Sequence, residues 1–227
     1  MNLADFQQWL VAHGQRIDVD GKPGPKTRAA ILAAFSNRNA PAVTPQDISL
    51  FAARLGGTMK QLSAVARVES AGSGFNEAGQ PKALYERHYA WRRLRIVIPL
   101  LSNPSAGGYT LDADRDGVND SWEKVADMAM RNPLVAFESA SFGKFQIMGA
   151  WAVKLGYPNA IEFAYALSRS EAAHYEALVR YIERFDLVRA FRALSNDPET
   201  CRAFAAGYNG PRYAKGGYHR KLAEAMK

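Results

Sequence analysis

The sequence predicts a mainly α protein in two parts. Apolar residues recur at helical spacing in several separate segments, helix-start signals stand before two of them, and strand signals are few and short. The 227 residues exceed one typical domain. Hydrophobic residues make up 48% and charged residues 22%, the balance of a globular chain rather than a disordered one. No apolar run approaches the roughly 20 residues that a membrane-spanning helix needs.

In chain order, Leu3, Phe6 and Leu10 share one helical face, with Trp9 alongside, and His13-Gly14 stops that helix. Val19 to Thr27 is turn chemistry, rich in Gly and Pro. A second helix runs through Ala30, Ile31, Ala34 and Phe35. Residues 1–38 thus form a small helical unit, too short to bury much surface alone and expected to lean on the rest. Residues 39–44 read as a linker. Thr44-Pro45-Gln46-Asp47 starts the second part, residues 45–227, with a Thr cap, Pro in the first turn and an acid behind it. Thr58 and Gln61 have the spacing of a capping box. Further helices follow from Tyr175, Leu178, Val179, Ile182 and Phe185, then Leu187, Phe191 and Leu194, then Phe204 and Tyr208.

Charge and composition exclude several classes. The chain carries 29 Lys and Arg against 22 Asp and Glu, a formal +7, which favours an anionic partner without choosing one. Arg87, Arg92, Arg93 and Arg95 crowd one segment, and Arg212 to Lys227 carries another basic cluster. No nucleic-acid motif accompanies them. The single cysteine, Cys201, excludes an internal disulfide and fits a small core residue. The scattered histidines give no metalloprotease motif.

The first chemically informative residue is Glu69. Met59, Leu62, Val65 and Ala66 form an apolar stripe, and Glu69 falls on it at the last turn. Burial and the negative end of the helix dipole both raise a carboxyl pKa, as a general acid requires. The same placement also suits a buried Glu paired with an arginine. Glu69-Ser70 is followed by Ser141-Phe-Gly-Lys-Phe-Gln146 and by Ala206-Gly-Tyr208-Asn209-Gly210. This order resembles the lysozyme-like superfamily. Four longer strings, Ala64–Phe75, Pro81–Tyr89, Glu138–Gly149 and Phe204–Pro211, resemble the bacteriophage endolysin-type N-acetylmuramidases. Val19 to Thr27 is similar to the turn of a peptidoglycan-binding domain, with Asp20, Gly21, Gly24 and Thr27 at its motif positions.

The resemblance implies a lysozyme-like helical catalytic domain preceded by a small peptidoglycan-binding unit. Its implied activity is hydrolysis of the β-1,4 bond between N-acetylmuramic acid and N-acetylglucosamine in peptidoglycan strands. Glu69 would be the general acid, with Ser70, Ser141, Gln146, Tyr208 and Asn209 lining or supporting the sugar site. An inverting route needs a second carboxylate about 6.5–9.5 Å away to activate water. Glu86 is the candidate and Glu138 the reserve, while a structural pairing of Glu86 with Arg87 or Lys82 stays open. Two alternatives also stay open: a lytic transglycosylase, which needs one acid only, and a wall-binding module that does not cut.

The resemblance asks for no catalytic cofactor. Residues 112–123, however, space oxygens in the manner of a calcium loop: Asp112, Asp114, Asp116, the carbonyl of Val118, Asp120 and Glu123, with Gly117 at the turn. Asn119, where the motif has an apolar residue, departs from it. The remaining expectations are a monomer without stable membrane insertion, and a product of the bacterial cytoplasm that acts on the periplasmic wall, since MNLADFQQWL lacks a signal peptide.

Overall fold

The computed structural model describes residues 1–70, 72–110, 113, 115 and 119–227. They form two compact units, each built from two stretches of chain: 1–40 with 75–169, and 41–74 with 170–227.

In the first unit, α1 (Leu3–Ala12) opens with a capping box between Asn2 and Asp5 and ends at His13. α2 (Pro25–Ala34) starts on Gly24 with Pro at its first position, inside the Gly- and Pro-rich stretch. After β1 (Ala83–Tyr85) and α5 (Arg87–Leu94), α6 (Asp120–Ala129) and α7 (Pro133–Glu138) lead to β2 (Ala140–Phe142) and β3 (Ile147–Met148). A short 3₁₀ turn and α8 (Ala160–Arg169) complete the unit. The sheet is antiparallel in the order β1-β2-β3, with Tyr85 opposite Ala140 and Ser141 opposite Met148.

One aromatic core holds these elements. Phe35, at the C-cap of α2, lies 4.9 Å from Phe137 and 5.2 Å from Trp122 between ring centroids, and Phe6 of α1 meets Phe137 edge-on. All four rings are fully buried. Trp9 stacks on His13 and donates its indole N–H to Glu162 at 2.7 Å. The N-terminal helices therefore bury their apolar stripes against α6, α7 and α8, as so short a segment needs. The Ala40/Pro41 border falls within the expected linker, whereas the stretch 45–227 is divided between the units. Gly149 shows how close the packing is, since a Cβ there would sit 2.1 Å from the Phe137 carbonyl oxygen.

The second unit contains α3 (Pro45–Arg54), α4 (Met59–Glu69), α9 (Glu171–Arg184), α10 (Val188–Arg192), α11 (Pro198–Asn209) and α12 (Tyr218–Ala225). Both expected Thr caps form, Thr44 with Asp47 and Thr58 with Gln61. Gln61 also donates to the carbonyls of Arg192 and Leu194 at 2.9 and 3.0 Å, fixing the start of α4 on the end of α10. Arg54 ties α3 to α9 through Glu176 and Glu183 at 2.6–2.9 Å. Leu62, Val65, Leu178, Ile182, Phe191, Phe204 and Leu222 form the core, with buried Cys201 in the small apolar role expected of it.

Replacing Phe35 by Ala should lower the unfolding free energy by about 3–5 kcal/mol in urea titration, because the ring is fully buried among Phe137, Trp122 and Trp9. A free-standing N-terminal domain would instead lose its own transition and leave that of residues 75–169 unmoved.

Candidate active site

α4 delivers the Glu69 carboxyl at its last residue, and Ser70 leaves the helix in extended backbone. The carboxyl is half-buried and accepts a hydrogen bond from the Tyr218 hydroxyl at the start of α12. Tyr208, near the end of α11, stacks on Tyr218 at 6.3 Å and 12° and on Phe204 at 5.5 Å and 10°, while Tyr181 of α9 meets it edge-on at 5.4 Å. Four helices thus place a stack of phenol rings beside one carboxylate. Gly207 permits the approach of α11, since a Cβ there would lie 2.3 Å from Leu187 Cδ2.

Electrostatics follow from that packing. Loss of water around Glu69 raises its pKa, and the Tyr218 hydrogen bond partly opposes the rise by stabilising the charged form. Burial pushes the Tyr208 and Tyr218 phenols far above their ordinary value, and the negative field of Glu69 adds to it. Both phenols stay protonated while Glu69 titrates. The arginine pairing that the sequence left open is not what shifts Glu69. Arg67, in the same last turn, is exposed.

Ser141 and Gln146 lie in the first unit and are brought together. Ser141 donates from Oγ to Gln146 Oε1 at 3.0 Å, while Gln146 Nε2 donates to the carbonyls of Gly143 and Lys82 at 2.9 and 3.3 Å. Gln146 has a left-handed backbone, φ 47°, and Gly143 turns beside it at φ 76°. The Gln146 amide therefore builds the β2–β3 turn and ties it to the residue before β1. Asn209 is exposed at the end of α11.

Glu86 caps the backbone start of α5. Its carboxylate accepts from the Tyr109 hydroxyl at 3.2 Å and lies 3.5 Å from His88 Nδ1. Arg87, one of the two partners that the sequence offered it, donates to the carbonyls of Ser105 and Ala106. Glu138, the reserve, is ion-paired with Arg93 at 3.1 Å.

In the N-terminal segment, Asp20, Gly21 and Thr27 converge on Gln7. The Gln7 amide nitrogen reaches Asp20 Oδ1, the Lys22 carbonyl and Thr27 Oγ1 at 3.0–3.2 Å, and its oxygen accepts the N–H groups of Asp20 and Gly21. The Lys22 N–H, then Gln7, hold the Asp20 pKa below its ordinary value. Gly24 sits at the α2 cap, and a depression of about 450 Å³ opens beside the turn between Ile17, Pro23 and Lys26.

Of the calcium-like loop, Asp112, Asp114, Asp116 and Val118 lie outside the described residues. Asp120 accepts from the Thr110 hydroxyl and, at 2.8 Å, from the Ala113 N–H, while Glu123 pairs with Arg28 of α2. Those two carboxylates thus have partners within the chain.

Two residues escaped the sequence reading, Tyr218 and Gln7. Tyr218 was submerged in a basic tail, although it is spaced four residues from Leu222 on the buried face of α12. Gln7 sits on the stripe of Leu3, Phe6 and Leu10, the same polar-on-apolar signal that drew attention to Glu69.

The chain has the mainly helical, lysozyme-like fold of a solved endolysin. The crystal structure of the Burkholderia AP3 phage endolysin is similar over 99% of this chain and 92% of that one, at 31% identity and a TM-score of 0.73. The sequence model of the N-acetylmuramidase family matches residues 58–227, and the chain belongs to that family. No curated protein sequence matches it.

A pKa raised in the folded state means that folded Glu69 holds a proton the unfolded chain has already released. Its contribution to stability is complete below the ordinary carboxylate value of 4.5 and fades as pH rises through the folded value. Glu69→Gln, which cannot ionise, should therefore gain stability over the parent as pH rises through that window and match it below. Tyr218→Phe should extend the window to higher pH. Denaturant midpoints measured across pH check both; a difference independent of pH would mean Glu69 titrates normally.

Proposed function

We propose that the protein hydrolyses the β-1,4 bond between N-acetylmuramic acid and N-acetylglucosamine in bacterial peptidoglycan, with Glu69 as the general acid. The observation that carries the reading is a half-buried carboxyl of raised pKa, held by Tyr218 beside Tyr208, at the end of a helix that lies within the stretch matched by the family. A carboxyl that keeps its proton toward neutral pH can give it to the glycosidic oxygen as the bond to the anomeric carbon breaks. Tyr218 is a positioning residue: it fixes the carboxyl through one oxygen and steadies the carboxylate left after proton transfer.

Water must then add at the anomeric carbon, and the reading gives its activation to Glu86. In support, Glu86 accepts a hydrogen bond from a neutral phenol, whereas Glu138 is tied to Arg93. The Val19–Thr27 turn would hold the enzyme on its polymer and raise the local concentration of cleavable bonds. The Burkholderia AP3 phage protein is an endolysin by its printed description, and a lytic role at the wall carries over to this chain as part of the same proposal.

Glu69→Gln should slow release of soluble fragments from purified peptidoglycan by about 10²–10⁴-fold while leaving sedimentation with the polymer intact. Full activity in that variant would remove Glu69 from the mechanism. Mass spectrometry of borohydride-treated fragments then identifies the reaction. Reducible muramic ends support hydrolysis and predict a comparable loss in Glu86→Gln. Anhydro-muramic ends would identify a lytic transglycosylase, in which the muramic 6-hydroxyl replaces water and Glu86 needs no catalytic role.

A further inference from the structure

α5 ends at Leu94, and Arg95 takes left-handed backbone at φ 58°. Residues 96–102 then form a stitched turn. Ile98 and Ser102 exchange backbone hydrogen bonds of 2.9 Å, Leu101 N–H bonds back to the Ile98 carbonyl at 3.1 Å, and Ser102 Oγ donates to the Ile96 carbonyl at 2.5 Å. Its stem is anchored, for Leu101 and Ser102 are buried and the Tyr85 hydroxyl donates to the Leu101 carbonyl at 2.8 Å. The tip is the reverse: Ile96, Val97 and Leu100 are 55%, 64% and 67% exposed. Leu100 also holds φ 63°, a conformation that branched side chains avoid. Single exposed apolar residues are ordinary, but three large aliphatic groups on one fixed turn are not.

The end of α5, which leads into this turn, carries cations and aromatic rings. Arg92, Arg93 and Arg95 are exposed. The Arg92 guanidinium lies over Tyr89 at 5.1 Å and that of Arg95 over Trp91 at 4.8 Å, while Arg93 is paired with Glu138. Exposed aliphatic side chains next in the chain to arginines and aromatic rings are the residue types that settle at the headgroup boundary of a bilayer. We propose that the 96–100 turn docks the protein on an anionic lipid surface, with Ile96, Val97 and Leu100 entering the headgroup boundary and Arg92 and Arg95 meeting the lipid phosphates. Charge complementarity selects this partner over a second copy of the chain, whose own arginines would face the first across a two-fold contact. The mode is adsorption: among the described residues no helix is long and apolar enough to cross a membrane.

Flotation with vesicles tests it, using 3:1 phosphatidylcholine:phosphatidylglycerol against phosphatidylcholine alone. The parent should float with the anionic vesicles and not with the neutral ones. Ile96→Ser/Val97→Ser/Leu100→Ser, which keeps every charge, should bind at least about tenfold more weakly. Leu100→Gly, which suits the left-handed backbone, should keep or raise the melting temperature and still weaken binding. Arg92→Gln/Arg95→Gln should erase the preference for anionic lipid. Peptidoglycan solubilisation should be unchanged in all of them, so this proposal and the muramidase reading fail separately. Absence of parent binding, equal binding to neutral vesicles, or serine and glycine variants that bind like the parent would overturn it. So would a concentration-dependent dimer, seen by sedimentation, that the serine variant abolishes.

Discussion

Removing water from one carboxyl group sets the terms for the whole second unit. Glu69 has to end a helix whose other end is locked, and Gln61 locks it by capping α4 and gripping the last carbonyls around α10. Phenol rings must also stand at the carboxyl: Tyr218 comes from α12, and Tyr208 stacks on it where Gly207 lets α11 press against Leu187. The apolar stripe of α4, the capping glutamine and the bare glycine otherwise look unrelated. They are three requirements of holding one carboxyl half out of water.

The first unit answers the same problem differently. Gln7 also interrupts an apolar helical face, but its amide is met from every side by the Asp20–Thr27 turn, and the outcome is rigidity rather than reactivity. A polar group on an apolar stripe therefore marks a constraint, and its partners decide whether that constraint is structural or chemical. Glu86 and Glu138 make the same point, one beside a phenol and an imidazole and the other neutralised by Arg93.

Local signals were legible in the sequence. The caps at Thr44 and Thr58, the stop at His13 and the stripe that carries Glu69 all depend on residues within four positions of one another, where side-chain and backbone chemistry speak directly. What the sequence did not disclose was long-range pairing. Nothing near Tyr85 announces Ala140 as its strand partner, and nothing near residue 38 announces that α1 and α2 share their aromatic core with Phe137 and Trp122. A composition break at a proline-containing linker separates stretches of chain; it does not separate cores. Gln146 shows a further limit, because nothing in its motif announces the turn that it holds together through Ser141, Gly143 and Lys82.

The interleaving of the two units has a consequence for how the molecule is made. Each unit closes over a long excursion of chain through the other, and the phenol that holds Glu69 lies 149 residues downstream of it. A ribosome delivering this chain from its N-terminus exposes α4 long before α12 exists, so the carboxyl stays hydrated and ordinary through most of synthesis. The half-buried setting of that carboxyl forms only after the distant segment emerges and the entropy of closing that loop is met. In nascent chains the environment that shifts Glu69 is therefore withheld by topology until α12 has been made.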